Sequence, residues 1–282
     1  HDTLYAHPLP EGHRFPMAKY ELIPQQLLHE GRITEAHLHQ PEKVAIEHVL
    51  AVHDEPYVQR LLNLELERKE VRAIGFPLSR ELVNRELTIT QGTIDNANYA
   101  LENGAAMNVA GGTHHAYTDR GEGFCLLNDQ AIAAKYLIDH TRVQRVLILD
   151  LDVHQGQGTA QIFEGYDPVY TFSMHGKDNY PLRKERSDWD IPLPSGTTDD
   201  PYLSELREVL SVIFDRARPE FVFYLSGVDV LASDKLGRLA LTSAGCAERD
   251  RMVVEAVATK GLPLQVSMGG GYSERLATIV DA

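Results

Sequence analysis

The chain has little with which to cross-link itself. Of its 282 residues only two are cysteine, Cys125 and Cys246, which excludes a disulfide framework. Both sit in segments that read as buried, where a thiol is an inert small hydrophobe. Basic charge is also scarce: 27 Lys and Arg face 41 Asp and Glu, a formal net charge of −14. A nucleic-acid binder needs a basic face to neutralise phosphates, so no direct nucleic-acid contact is expected. No apolar run reaches the length that crosses a bilayer, and His1-Asp2-Thr3-Leu4-Tyr5 lacks the basic-then-apolar pattern of a signal peptide. A cytoplasmic protein without membrane contact is therefore expected. No repeat, low-complexity tract or Gly/Ser-rich linker interrupts the chain, so residues 1–282 are expected to form one domain. The chain opens on His1 rather than Met, so its numbering is not expected to begin at a native start.

What is present is an alternation of strand and helix signals. The first stretch, to about Ser79, is polar and yields little: a loop at 7–13, a helix from Ala18 limited or kinked by Pro24, a short strand or helical turn at 42–49, and a helix over 53–68. A longer helix is expected over 79–103, stopped by Gly104. Strands then read at 105–110, 145–151, 169–174, 220–226 and 264–268. The run RVLILDL at 145–151 is almost continuously apolar, the mark of a strand covered on both faces. Helices read at 129–140, at 200–216 with Asp200-Pro201 as cap and first-turn proline, at 242–260, and from 272 to 280. The pattern predicts an α/β fold, a mostly parallel central sheet with helices on both faces.

In such sheets functional residues gather beyond the carboxyl ends of the strands. Each expected strand runs into one: Gly111-Gly112-Thr113-His114-His115, Asp150-Leu151-Asp152-Val153-His154, Ser173-Met174-His175, Gly227-Val228-Asp229 and Gly269-Gly270-Gly271-Tyr272. Asp152 and His154 are two apart, and in an extended segment both point to one side. Asp229, from another strand end, can complete a set of one His and two carboxylates. Three protein ligands with an open position are the pattern of a catalytic zinc, and carboxylate-rich ligation also admits Fe²⁺ or Mn²⁺. A D-x-H pair alone is more readily a satisfied polar pair at a strand end; the tandem histidines, Asp229 and Tyr272 reverse the balance. His114 and His115 are adjacent and diverge unless the loop is irregular, which Gly111-Gly112 permits. Histidines beside a metal suit proton transfer, and a phenol there can donate to a developing oxyanion.

At these residues the sequence resembles the histone deacetylase superfamily, and most its class IV branch and the bacterial proteins similar to it. The matching stretches are GGTHHA at 111–116, RGEGFCLLND at 120–129, DLDVHQGQG at 150–158, SGVDVLASDKLGRL at 226–239 and GGGY at 269–272, with HRFPMAKY at 13–20 resembling the bacterial opening segment. The resemblance implies a single arginase-like α/β domain. It implies Asp152, His154 and Asp229 as ligands of Zn²⁺, with Fe²⁺ as the alternative. It further implies His115 as general base and acid, His114 as its electrostatic partner oriented by Asp150, and Tyr272 as the group that polarises the scissile carbonyl. A structural monovalent cation, K⁺, is implied near Asp150 and Ser173. Gly123 and Phe124 match the acyl-lysine channel, Tyr180 its opposite wall, and Gly270 the glycine run beside the substrate.

Two departures matter. Many deacetylases carry Asp where this chain has Gln157, whose amide can orient His115 without adding charge. Losing a carboxylate lowers a histidine's pKa, so His115 is expected to be largely neutral near pH 7. Arginase relatives carry a further Asp where this chain has Gly156, so one catalytic metal is expected. The implied reaction is metal-assisted hydrolysis of an N-acyl amine, most simply an acyl-lysine side chain of a protein. A small N-acyl amine is the alternative, although Leu236 stands where polyamine-selective members place an acidic residue. The class IV likeness makes fatty-acyl groups candidates too. A non-catalytic acyl-lysine-binding module is disfavoured, because metal ligands, both histidines and Tyr272 are all present. A nucleotide-binding domain, suggested by Gly156-x-Gly158, lacks the rest of that fingerprint.

Overall fold

The computed structural model describes residues 1–282. Its strands are β1 (Ala105–Asn108), β2 (Val146–Asp150), β3 (Val169–Gly176), β4 (Trp189–Leu193), β5 (Phe221–Leu225) and β6 (Leu264–Ser267). They form one six-stranded sheet in the order β1-β6-β5-β2-β3-β4, and every pairing is parallel. The helices are α1 (Lys19–His29), α2 (Ile46–Leu50), α3 (Glu55–Asn63), α4 (Arg68–Ile74), α5 (Arg80–Asn103), α6 (Asp129–His140), α7 (Gln157–Ile162), α8 (Asp199–Ala217), α9 (Ser243–Thr259) and α10 (Leu276–Asp281).

The central strands are buried throughout, and their side chains alternate between two cores. Val146, Ile148, Phe221 and Phe223 pack into one, with residues of α3, α5 and α6. Leu147, Leu149, Val222 and Tyr224 pack into the other, with α8 and α9. This period of two explains why β2 and β5 read as uninterrupted apolar runs: both faces are covered. After β2 the chain moves outward through β3 and β4, then returns to place β5 on the other side of β2. The order reverses between β2 and β5, where open α/β sheets bind ligands.

Several expected boundaries shift for local reasons. The expected helix at 53–68 breaks at Leu64, which adopts a left-handed conformation, and resumes as α4. The strand from 105 ends at Asn108 rather than 110. The expected Asp200 cap is displaced: Thr198 occupies that position, and Asp199 enters the first turn while accepting the Thr242 amide and hydroxyl at 2.9 and 2.7 Å. The last helix begins at Leu276, not 272, because the Tyr272 amide is drawn to the Asp234 carboxylate at 2.6 Å. α7 and β4 were not expected. β4 is an edge strand with a proline and a half-exposed face, which blunts its alternation.

Candidate active site

β2 and β5 are neighbours with Asp150 opposite Leu225 in register, so the loops after them start at the same height. Asp152 and His154 meet in the loop after β2, not along an extended strand: the Asp152 Oδ1 atom accepts the His154 amide at 2.9 Å. A curled turn, rather than the alternation of an extended segment, thus brings the two side chains together. Asp229 hangs from the loop after β5 and accepts the Val153 amide at 3.0 Å. His154 Nδ1 lies 3.1 Å from both Asp152 Oδ1 and Asp229 Oδ2. One ligand atom from each of these buried residues falls within 4.8 Å of the others.

This trio suits a cation. Burial, and then the neighbouring Asp152 charge, pushes Asp229 up to about 7. Burial alone would lower His154, but its bonds to Asp152 and Asp229 prevail and raise it to about 10. Two buried carboxylates around one imidazole nitrogen demand positive charge, supplied by a proton or by a metal ion. The backbone makes way for them. A Cβ on Gly270 would come 2.0 Å from Asp229 Oδ2, and one on Gly227 would come 2.2 Å from Asp152 Oδ2. The Gly270 amide donates to Asp152 Oδ2 at 2.9 Å, so this glycine cradles the carboxylates.

The tandem histidines converge rather than diverge. Gly111 and Gly112 both adopt positive φ, 78° and 73°, and the irregular turn brings the imidazole centroids to 4.0 Å. Their Nε2 atoms lie 3.2 Å apart. His114 Nδ1 faces Asp150 Oδ2 at 2.6 Å, and His115 Nδ1 faces the Gln157 amide oxygen at 2.6 Å. The two pKa values are driven apart. Burial lowers His114, but the Asp150 carboxylate outweighs it and the net shift is upward. His115 falls well below the ordinary imidazole value, chiefly through burial and then through the charges of His114 and His154. The Gln157 hydrogen bond raises it, the smallest of the contributions. A cavity of about 40 Å³ joins both histidines, Asp152, His154 and Tyr272 to Phe15, Tyr20, Arg85 and Ile89. Burial first, then Asp229 and Asp152, hold the Tyr272 phenol well above its ordinary range, so it stays a donor.

Gly123 and Phe124 line the same cavity, whereas Tyr180 and Leu236 do not. Tyr180 stands over the site from outside, its ring 5.1 Å and nearly perpendicular to His115, with its hydroxyl donating to Glu122. Leu236 packs against the first core, and its carbonyl accepts from Asn179 at 2.7 Å. Asp150 and Ser173 are register partners, and Ser173 Oγ bonds His175 Nδ1 at 2.9 Å. Three supporting residues escaped the sequence reading. Asp129 holds the histidine loop through the Thr113 amide and hydroxyl at 2.8 and 2.7 Å. Asp234 accepts the amides of Leu236, Gly237 and Tyr272. Lys19 is fully buried with Nζ 3.0 Å from the Gly269 carbonyl, and burial brings it down to about 8. The partners that tie these residues to the site, Thr113, Tyr272 and Gly269, lie 16, 38 and 250 residues away, so no local pattern marks these roles.

A parallel α/β sheet with an Asp-His-Asp metal-site group and paired histidines at its switch point defines a metallohydrolase-like class. Residues 13–281 match the family described as the histone deacetylase domain. The chain is 44% identical over 276 residues to an uncharacterized protein of Picosynechococcus sp., covering 98% of this chain and 92% of that one. It is 32% identical to histone deacetylase 2 of Arabidopsis thaliana, covering 95% and 72%, and 35% identical to a probable deacetylase of Archaeoglobus fulgidus, covering 83% and 68%. The crystal structure of a histone deacetylase homolog from Aquifex aeolicus superposes with a TM-score of 0.81 at 24% identity, over 98% of this chain and 80% of that one. The chain belongs to the histone deacetylase family, whose chemistry is deacetylase-type hydrolysis.

Proposed function

We propose that the protein removes acetyl groups from the lysine side chains of proteins or peptides, with one zinc ion held by Asp152, His154 and Asp229. The observation that carries this reading is that Asp152 and His154, with Asp229 grouped beside them, share one small cavity with the His114–His115 pair and Tyr272. When bound, the ion would supply Lewis acidity to the carbonyl and lower the pKa of attacking water. His115 is the base: low in pKa and held by Gln157, it takes the proton from water at Nε2. His114, whose affinity for a proton Asp150 raises, faces the charge that develops as the carbonyl is attacked. Tyr272, still protonated, donates to the carbonyl oxygen as it gains charge. His115 then returns its proton to the departing lysine amine.

The cavity at the site, about 40 Å³, has room for roughly three water-sized groups, enough for an acetyl group. The test is hydrolysis of peptides bearing acetyl, butyryl, octanoyl and myristoyl lysine, with Zn²⁺ supplied and Asp229→Ala as control. Turnover highest for acetyl, falling steeply with chain length and absent in the control, is expected. Turnover rising with chain length would overturn the acyl assignment, and no turnover of any peptide would redirect the search to small N-acyl amines.

A further inference from the structure

We infer that Arg249 is a positioning residue for the metal group: its guanidinium ties together the two loops that carry the ligands. The inference rests on Asp152, His154 and Asp229 being the metal ligands. Arg249 projects from α9 and is fully buried within the second core. Its Nη1 donates to the carbonyls of Gly227 at 2.6 Å and Leu151 at 3.3 Å, and its Nη2 to that of Ser226 at 3.3 Å. Leu151 immediately precedes the ligand Asp152. Ser226 and Gly227 lie between β5 and the ligand Asp229. The Leu151 amide bonds the Leu225 carbonyl at 3.1 Å, and Arg249 spans the two chains just beyond that rung.

The contacts reach the carboxylates on the far side. Gly227 is held from one side by the guanidinium. On its other side Asp152 Oδ2 fills the space where a Cβ would stand, 2.2 Å from that position. A shift of the Ser226–Gly227 segment would therefore move the wall against which Asp152 rests. A fully buried charge is costly unless paired and hydrogen-bonded. Asp250 meets this need, accepting from Nε at 2.8 Å while its carboxylate stays one-third exposed and also accepts the Tyr224 hydroxyl. An apolar residue at 249 would fill the core but leave three buried carbonyls without their donor. Lysine would keep the charge but lacks the planar fork that bonds several carbonyls at once.

The experiment compares wild type, Arg249→Lys, Arg249→Met and Asp229→Ala in the full chain. Zn²⁺ affinity is measured by competition with a chromophoric chelator, and the visible absorption of the Co²⁺ form reports ligand geometry. Supporting partners of metal ligands change affinity by roughly 10- to 100-fold when removed. Arg249→Met is expected to fall in that range, and Arg249→Lys to lose affinity by a smaller factor, both with an altered Co²⁺ spectrum. Asp229→Ala is expected to lose tight binding altogether. A residue that only fills the core would lower the melting temperature and leave Zn²⁺ affinity and the Co²⁺ spectrum as in wild type. That result, in either folded Arg249 variant, overturns the inference. Should Arg249→Met not fold, the lysine variant decides alone. Unchanged Zn²⁺ binding in Asp229→Ala would instead overturn the ligand assignment on which the inference rests.

Discussion

At the scale of single residues, the clearest separation is between groups that hold the site and groups proposed to react in it. Tyr272 illustrates the second. Its backbone is pinned by Asp234 and its ring packs against Phe15 and Phe124 at centroid distances of 5.8 and 5.9 Å, so removing the hydroxyl alone should leave the fold intact. Tyr272→Phe is expected to lower kcat by about 100- to 1,000-fold, the usual loss of one oxyanion donor, with Zn²⁺ affinity unchanged; steady-state kinetics and chelator competition check both. His53 illustrates the first. It is buried, with Nδ1 2.8 Å from the Tyr117 carbonyl and Nε2 accepting the Asn128 amide at 3.0 Å. Asn128 in turn caps α6 by accepting the Ala131 amide. Burial lowers His53 to about 4. The unfolded chain, with an imidazole near 6.5, then binds the extra proton first. Stability from this residue is present above about pH 6.5 and is lost as pH falls toward 4, by about 3 kcal/mol. Denaturant titrations between pH 7 and 4 should show a loss smaller by about that amount in His53→Gln than in wild type, the remainder coming from His7 and His175, which burial also lowers to about 4.

At the scale of elements, legibility followed burial on two faces and the presence of local stop signals. β2 and β5 are legible because every residue but Asp150 is apolar and all are covered. α5, α6 and α9 were visible because Ser79, Asn128 and Thr242 accept the amides of Leu82, Ala131 and Gly245 at their first turns. α5 is the longest helix and closes the first core, so its cap can be measured: Ser79→Ala is expected to cost about 1 kcal/mol, read by denaturant unfolding. What the sequence hid was set by distant partners. α10 starts late because Asp234 draws the Tyr272 amide, and β4 pairs only through its neighbour β3 at a sheet edge. The N-terminal segment gave little because its contacts, such as Lys19 with Gly269, span 250 residues. The candidate site was more legible than these elements, since its residues lie in short Gly-punctuated loops at strand ends. Their pairings were less so. His114 reaches His115 only through two left-handed glycines, and Gly270 proved to be a cradle for carboxylates.

At the scale of the whole molecule, the sheet sets a tension between function and stability. Its topology brings Asp150, Asp152 and Asp229 to one buried rim, where only His114 and His154 counter them closely, and a cation ligated there stabilises the native state alone. For such a ligand the gain is about 2.7 kcal/mol at a free concentration of 100 times Kd. Metal-free protein bears the carboxylate repulsion without that gain: Asp229 is raised by burial and by Asp152, so its ionisation works against folding as pH rises toward 7. Asp229→Asn removes that charge with little change in volume. The metal-free variant is therefore expected to melt no lower than metal-free wild type at pH 7.5. Excess Zn²⁺ should raise the wild-type melting temperature by several degrees and leave the variant nearly unmoved. Equal Zn²⁺ shifts in the two proteins would mean that the stabilising ion binds elsewhere. A metal-free variant melting well below wild type would mean that Asp229 holds the loops as a structural acceptor, for the Val153 amide, more than as a ligand.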